Sequence, residues 1–427
     1  MNLYVVTLGC PKNRVDTEHI LGNLNARLPH FNIVSSPEKA DTIIINTCSF
    51  IEEAVNESIE TILEIASQAT RQEIVVTGCL VERYGAETLK KEIPEADHFI
   101  GFEAKEKLPQ ILGYDPLVQG GARLLSTPPW RAYLKIAEGC SNRCTYCLIP
   151  KIRGKQICRD PQDILGEAVG LIESGVKEIT LVAQDLTAYE FEGFHLADLL
   201  EKIAAISQDV WIRLLYLYPS KIDSELLTVM KNHQNICPYF DLPIQHASSK
   251  ILKKMGRKYD KKEMCTVINQ IRSKIPESYI RTSLIVGFPG ETEEDFEELK
   301  SFVLQARFDH LGCFTYSDEQ EAPSFRFVDK VDPNVAKRRR NEIMALQQQI
   351  SIEKLAKLVG TVQQVLVEGL SDETDLLLVG RTKYQAPEID GLVYINEGFA
   401  NKGDMVNVEI TDSHVYDLVG KIVQNRQ

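Results

Sequence analysis

From Leu3 to Thr315, apolar runs of strand length alternate with longer helical patterns, which restricts this part of the chain to parallel sheets covered by helices. The first unit is the run Leu3–Leu8, then Gly9-Cys10-Pro11 and a helical pattern through Ile20, Leu21, Leu24 and Leu28. In the second, Thr42–Asn46 leads to Cys48 and a helix with Ala54, Ile59, Ile62, Leu63 and Ile65. In the third, Ile74–Thr77 leads to Gly78-Cys79 and a helix near Val81–Glu92. Ligands of open α/β sheets bind outside the carboxyl ends of the strands. Cys10, Cys48 and Cys79 each fall at that address. One such cysteine reads as a small buried hydrophobe; three at the same address read as sharing a ligand.

A Gly/Pro-punctuated stretch, Gly113 to Pro129, reads as a linker. Strand-like runs then recur at Tyr133–Ala137, Glu178–Ala183, Val210–Tyr216, Tyr239–Leu242, Ile280–Val286 and Leu311–Thr315. Helical patterns such as Pro161–Ser174, Ser224–Asn232, Lys261–Lys274 and Glu293–Ala306 separate them. Six β/α units predict a complete or partial barrel with its chemistry at the carboxyl ends of the strands. Asn334–Leu358 reads as a long helix whose Lys337-Arg338-Arg339-Arg340 run is expected on a solvated face. From Gly360 onward, short runs separated by turns predict a small antiparallel barrel. The fold expectation is therefore α/β in three parts: a parallel-sheet domain over 1–115, a partial (β/α)6 barrel over 126–358 and a small antiparallel β-barrel over 360–427.

Apolar residues make up 44% of the 427 and charged residues 26%, which excludes a mainly disordered, collagen-like or membrane-embedded chain. No apolar run approaches the ~18 residues of a membrane-spanning helix. Met1–Leu8 has no basic leader, so a cytoplasmic location is expected. There, ten cysteines are expected to remain thiols, and the cluster Cys140, Cys144, Cys147 argues for metal or redox chemistry. Net charge is −13; the last segment holds eleven acidic against five basic residues, which favours a basic partner over a nucleic acid.

Cys140-Ser141-Asn142-Arg143-Cys144-Thr145-Tyr146-Cys147 directly follows the first barrel strand. Thiolate selects zinc, copper(I) or iron–sulfur clusters. A structural zinc site closes with four ligands, whereas this loop offers three and no neighbouring histidine. Three thiolates on a four-iron cluster leave one iron open to a substrate. Zinc is the alternative.

This C-x3-C-x2-C loop resembles that of the radical S-adenosylmethionine (SAM) enzymes. Gly9-Cys10-Pro11-Lys12-Asn13-Arg14-Val15-Asp16, Asn46-Thr47-Cys48 and Thr77-Gly78-Cys79 resemble the amino-terminal domain of the methylthiotransferases within that superfamily. Glu138-Gly139-Cys140, Ile149-Pro150, Arg153-Gly154 and Gly287-Phe288-Pro289-Gly290-Glu291-Thr292 are similar to further motifs of the same family, and the last segment looks like a TRAM domain. The resemblance implies two [4Fe-4S] clusters, one on Cys10, Cys48 and Cys79 and one on Cys140, Cys144 and Cys147, the latter binding SAM. It implies radical conversion of a C–H bond to C–SCH3, with a protein reductant supplying electrons.

Cys10-Pro11-Lys12-Asn13, Tyr216-Leu217-Tyr218-Pro219 and Ala386-Pro387-Glu388-Ile389-Asp390-Gly391 resemble the family branch that modifies an aspartate of a small-subunit ribosomal protein. The other branch, acting on a tRNA adenosine, is the nearest alternative; a zinc-stabilised RNA-binding module is an alternative of another class. Gln184 and Arg213, near strand ends, are candidate SAM contacts, Arg213 because guanidinium matches a carboxylate. An ordinary ion pair is the other reading of Arg213. His246 reads as a structural histidine, and Cys237, Cys265 and Cys313 as packing residues.

Overall fold

The computed structural model describes all residues except 28–30, 70, 114–122 and 424–427. Leu28, the middle of the Gly113–Pro129 stretch and Arg426 therefore lie outside the described residues.

In the amino-terminal part, strands Asn2–Thr7, Thr42–Thr47 and Glu73–Gly78 pair in parallel, Val5 opposite Ile44 and Ile45 opposite Val76. Successive side chains point to opposite faces of a strand. Ile43 and Ile45 accordingly join Ile62 and Ile65 of the helix Glu52–Gln68, while Ile44 joins Ile20 and Leu24 of the helix Pro11–Arg27. Burial on both faces explains the unbroken Ile43-Ile44-Ile45 run. Asn32–Ile33 and His98–Ile100 add a strand at each edge. Numbered along the chain, the strand order is 2-1-3-4-5, so the winding reverses between Asn2–Thr7 and Thr42–Thr47. Such a switch point opens a crevice at the carboxyl ends of its two strands. Cys10 and Cys48 stand there.

The central part holds the six expected strands as two parallel sheets of three. Trp211–Leu214, Glu178–Val182 and Arg131–Lys135 form one; Tyr239–Gln245, Tyr279–Val286 and His310–Thr315 form the other. It is a partial (β/α)6 barrel. Capping sharpens its helices: Asp260 with Glu263 starts Lys261–Lys274, and Thr292 with Asp295 starts Glu293–Ala306, each as a reciprocal capping box. Ile280, Leu284 and Val286 pack against these helices, and the alternate residues Arg281, Ser283 and Ile285 face the concave side.

The last part is a closed barrel in the order Val362–Leu370, Leu378–Thr382, Val393–Glu397, Leu418–Ile422, Met405–Ser413. It departs from the antiparallel expectation at one seam, because Val393–Glu397 and Leu418–Ile422 run parallel. A ring of five strands cannot alternate direction at every contact, so one parallel pairing is required.

This barrel is bolted to the central part. Residues 383–390 enter its concave side, where Ala386 is fully buried with Tyr133, Trp211 and Tyr239, and Tyr384 stacks on Tyr279 at 4.3 Å. The Tyr239 hydroxyl donates to Asp390 at 2.6 Å. Glu178, without exposed side-chain surface, pairs with Arg213 at 2.6 Å and Arg381 at 2.5 Å. Burial pushes the Glu178 carboxyl up, but the two guanidiniums outweigh it and hold the group well below the usual carboxylate range. Glu388 pairs with Arg131 at 2.9 Å and lies 3.5 Å from Arg14, so all three parts meet at one carboxylate.

The basic run departs from expectation. Arg339 is buried against Glu291 at 2.9 Å, and Arg340 donates to the Cys313 carbonyl. Two of the four cations thus anchor the helix Pro333–Leu355 to the barrel instead of facing solvent.

Truncating Glu178 to Ala leaves the buried Arg213 guanidinium without a carboxylate and Arg381 with Glu368 alone. The expected loss of stability is ~3–5 kcal/mol. Glu409→Ala, which breaks the half-exposed pair with Lys421, is expected to cost at most ~1 kcal/mol. Denaturant unfolding of the two variants checks the contrast.

Candidate functional site

Three loops at one sheet edge bring the amino-terminal cysteines together. Gly9 has φ of 83°, and a Cβ there would stand 2.8 Å from the Cys48 sulfur. Only glycine lets the first loop pass this close to the second. The Asn13 side-chain amide donates to the carbonyls of Leu8 and Thr47, both at 2.9 Å, and its oxygen lies 3.6 Å from the Cys79 sulfur. One buried side chain therefore ties all three loops. Ser58 fixes Cys48 further, accepting from its N–H at 3.1 Å and donating to its carbonyl at 2.7 Å.

The second triplet follows the short strand Ala137–Glu138, which pairs with Ile157–Cys158. Gly139, at φ 78°, packs where a Cβ would meet the Lys155 carbonyl oxygen at 2.3 Å. The loop beyond is clamped by residues 254–257: Thr145 donates from its N–H to Met255 at 3.0 Å and from its hydroxyl to Lys254 at 2.8 Å. Arg257 reaches the Cys144 sulfur at 3.4 Å. Asn142 donates to Asp185 at 2.8 Å, and the Tyr146 ring meets Phe288 edge-on.

One side chain, Arg153, links the amino-terminal triplet to the strand that leads into the second. Arg153 contacts the Cys79 sulfur at 3.4 Å with Nη2, which also bonds the Asn13 side-chain oxygen. Its Nη1 meets Glu138, two residues before Cys140, at 2.8 Å and Asp16 at 3.1 Å. Lys135 joins the same two carboxylates, and Gln184 donates to Glu138 at 2.7 Å. Burial pushes the Glu138 carboxyl up, yet Lys135 and Arg153 prevail and keep it well below its ordinary range.

Among the described residues, no three His, Cys, Asp or Glu side chains converge on a single ion position. A four-iron cluster takes each thiolate on a different iron, so its ligands stand apart. Both sites offer thiols without histidine, a soft donor set suited to iron–sulfur. Burial pushes the Cys79 and Cys147 thiols up to about 12. A buried thiolate therefore needs a counter-charge, and Arg153 and Arg257 supply one at each site. The residues fit two clusters.

The chain matches the radical SAM superfamily over residues 134–303, the uncharacterized protein family UPF0004 over 2–101 and the TRAM domain over 359–423. It is 46% identical over 440 residues to the ribosomal protein uS12 methylthiotransferase RimO of Geobacter sulfurreducens, covering 98% of both chains. Identity to the protein of the same name from Clostridioides difficile is 43%, covering 99% of both.

The chain belongs to the RimO family of radical SAM methylthiotransferases.

It is a methylthiotransferase enzyme, and the non-catalytic zinc module is set aside. In fold, the chain is similar to the radical SAM methyltransferase TsrM of Kitasatospora setae, with a TM-score of 0.56 at 13% identity, covering 82% of this chain and 89% of that one. OxsB, a cobalamin-dependent S-adenosylmethionine radical enzyme, gives a TM-score of 0.52 at 12% identity, covering 81% of this chain and 56% of that one.

Gln184 stands beside Glu138 at the cysteine loop, but Arg213 does not serve there. It is fully buried against Glu178 and donates to the Lys383 carbonyl at 3.0 Å, the ion-pair reading of this residue. His246 is structural: its Nδ1 accepts the Ser248 N–H at 2.9 Å, and burial lowers its pKa to about 3. Cys237 and Cys313 are buried packing residues, and Cys265 packs half-buried at the core edge. Sequence reasoning missed Asn13 and Arg153 as site residues, although both lie within the quoted motifs.

Gly9→Ala drives a methyl group onto Cys48 and forces a left-handed backbone that costs an L-residue ~1–2 kcal/mol. The expected result is loss of iron from the amino-terminal triplet alone, leaving about half the iron of the intact chain. Iron and sulfide analysis after anaerobic reconstitution reads this directly.

Proposed function

We propose that this enzyme inserts a methylthio group at the β-carbon of an aspartate in the small-subunit ribosomal protein uS12. The observation that carries the reading is Arg153, which contacts the Cys79 sulfur of one triplet and Glu138, two residues before Cys140 of the other, and so links a sulfur-bearing site to a radical-generating one. The substrate named for its relatives supports the choice of protein. In this reading Cys140, Cys144 and Cys147 hold one [4Fe-4S] cluster with an iron left for SAM, and Gln184 lines that site. Cys10, Cys48 and Cys79 hold the second. Bound there, these groups supply an electron that cleaves SAM to a hydrogen-abstracting radical, and a sulfur that a second SAM methylates. The protein's own contribution is to fix both thiol sets, neutralise them with Arg153 and Arg257, and exclude water from the gap. A reductant protein delivers the electrons.

The division of labour follows the three segments: 1–115 carries the sulfur-bearing cluster, 126–358 the radical chemistry and 360–427 the docking of substrate. No helix among the described residues is long and apolar enough to cross a membrane, and a ribosomal protein substrate sets the enzyme in the cytoplasm. Acidic docking rests on an outward set free of ion pairs among the described residues, since Glu368 and Asp390 face inward to ion pairs and the exposed Glu388 is held by Arg131. Asp372, Glu373 and Asp375 are exposed around Leu376, which is 88% exposed.

Two clusters predict about eight irons per reconstituted chain. Alanine at Cys140, Cys144 and Cys147 is expected to halve the iron and abolish SAM cleavage. Alanine at Cys10, Cys48 and Cys79 is expected to leave 5′-deoxyadenosine formation intact while no methylthio group reaches uS12, as read by mass spectrometry. Full product from that second variant would sink the assignment.

Reversing Asp372, Glu373 and Asp375 to Lys is expected to weaken uS12 capture several-fold at low salt. The difference should shrink as ionic strength rises, because exposed charges beyond ~10 Å are screened at 0.1 M. With tRNA as the partner instead, the added cations would strengthen binding. Titrating both partners against both proteins at two salt concentrations separates the readings.

A further inference from the structure

Arg153 belongs to the central barrel, yet its guanidinium ends in the amino-terminal domain. It caps the short helix Ile149–Ile152, and its side chain is 1% exposed. The planar fork is divided by function. Nη1 takes the carboxylates of Asp16 and Glu138; Nη2 takes Asn13 and the sulfur of Cys79. The face of the fork lies over the Phe102 ring at 4.4 Å, which excludes water from that side. A lysine at this position would bring one point charge without the fork that meets carboxylate and thiolate together.

Buried charge acts through a low effective dielectric. Hydrogen bonds to cysteine sulfur and nearby positive charge favour the more negative, reduced state of an iron–sulfur group and raise its potential. The barrel loop has its own donor, Arg257 on Cys144, from within the same domain. The amino-terminal triplet receives its donor from the neighbouring domain.

We propose that Arg153 is a positioning residue through which the barrel domain sets the reduction potential of the cluster on Cys10, Cys48 and Cys79, so that this potential exists only in the assembled two-domain unit. The inference rests on the two-cluster reading above. Glu138, beside the other triplet, holds the guanidinium from the barrel side, and Asn13 holds it from the amino-terminal side.

The test uses the full chain with Cys140, Cys144 and Cys147 replaced by Ala, so that one cluster remains. The amino-terminal site is expected to hold about four irons. An EPR-monitored redox titration then compares Arg153, Arg153→Lys and Arg153→Gln at equal iron content. Arg153→Gln is expected to lower the midpoint enough to cut the reduced-to-oxidised ratio about tenfold at fixed potential, ~59 mV for a one-electron couple. Arg153→Lys should fall between. Labelling the same chain with 15N-arginine provides a measurement that needs no Arg153 variant to hold iron: pulsed EPR of the reduced cluster should show a guanidinium 15N coupling.

An unchanged midpoint in Arg153→Gln at unchanged iron overturns the inference, as does absence of the 15N coupling if Arg153→Gln loses its cluster. A merely structural role would lower iron content without moving the potential of what remains. No iron in the parent triple variant would overturn the cluster reading itself, and the inference with it.

Discussion

An open barrel has a concave face that its own strands cannot cover, and the rest of this molecule is arranged around that exposed interior. Six parallel strands in two sheets of three leave side chains such as Glu178, Arg213, Asp241 and Arg281 pointing away from the helices. Charged groups so placed must be paired or hydrated. The cover comes from both neighbours: Val15 on the helix Pro11–Arg27 and Ala386 in the segment 383–390 share one buried cluster with Tyr133 and Trp211. Because the helix Pro11–Arg27 begins right after Cys10, seating it on the barrel also delivers the amino-terminal triplet to the cysteine loop. Closing the concave face and bringing the two thiol sites together are the same packing event.

The charges at this junction act as alignment devices more than as sources of stability. A buried pair gains little over well-packed apolar groups, because desolvation offsets the Coulombic attraction, but it tolerates one register only. Glu18 on the helix Pro11–Arg27 meets Arg123 at 2.6 Å, and Arg123 meets Glu167 on the barrel helix Pro161–Glu173 at 2.6 Å. Asp16, two residues earlier on the same helix and on another face of it, reaches Lys135 and Arg153. An apolar contact slides at small cost. These contacts do not, which is what two sites linked through Arg153 require.

Local signals in the sequence were sufficient wherever the structure is local. The helices Ser224–Asn232, Lys261–Lys274 and Glu293–Ala306 begin where Asp223, Asp260 and Thr292 supply caps, and their limits were legible from those residues. The six cysteines were legible as two groups because strand ends and a tight C-x3-C-x2-C spacing are chain-local facts. Asn32–Ile33 and His98–Ile100 were not, since two or three residues carry no period. Arg339 was misplaced, and Arg213 was left between a SAM contact and an ion pair, for a different reason. Each is committed to a carboxylate far away in sequence, Glu178 and Glu291 respectively, and nothing in the neighbourhood of an arginine announces a partner across the fold. Arg153 lay inside a quoted motif, yet its contact with Cys79 spans two domains and has no periodic trace.

The same limitation applies to charge. A net −6 over the last segment suggests a uniformly acidic body, but Glu368, Glu388 and Asp390 spend their charge on Arg381, Arg131 and Arg281. These carboxylates are neutralised locally and contribute little to the field a partner meets. What faces outward is smaller and more directional: Asp372, Glu373 and Asp375 beside Leu376, with Glu397 next to an exposed Phe399 and Asp412 on another strand. Acidic residues interleaved with exposed apolar ones suit a basic protein surface that also offers an apolar contact, because charge steers the approach and apolar burial holds it. A phosphate backbone would meet neither. In the proposed docking role, the acids free to meet a partner are those that neither Arg381 within the barrel nor Arg131 and Arg281 of the central part neutralise.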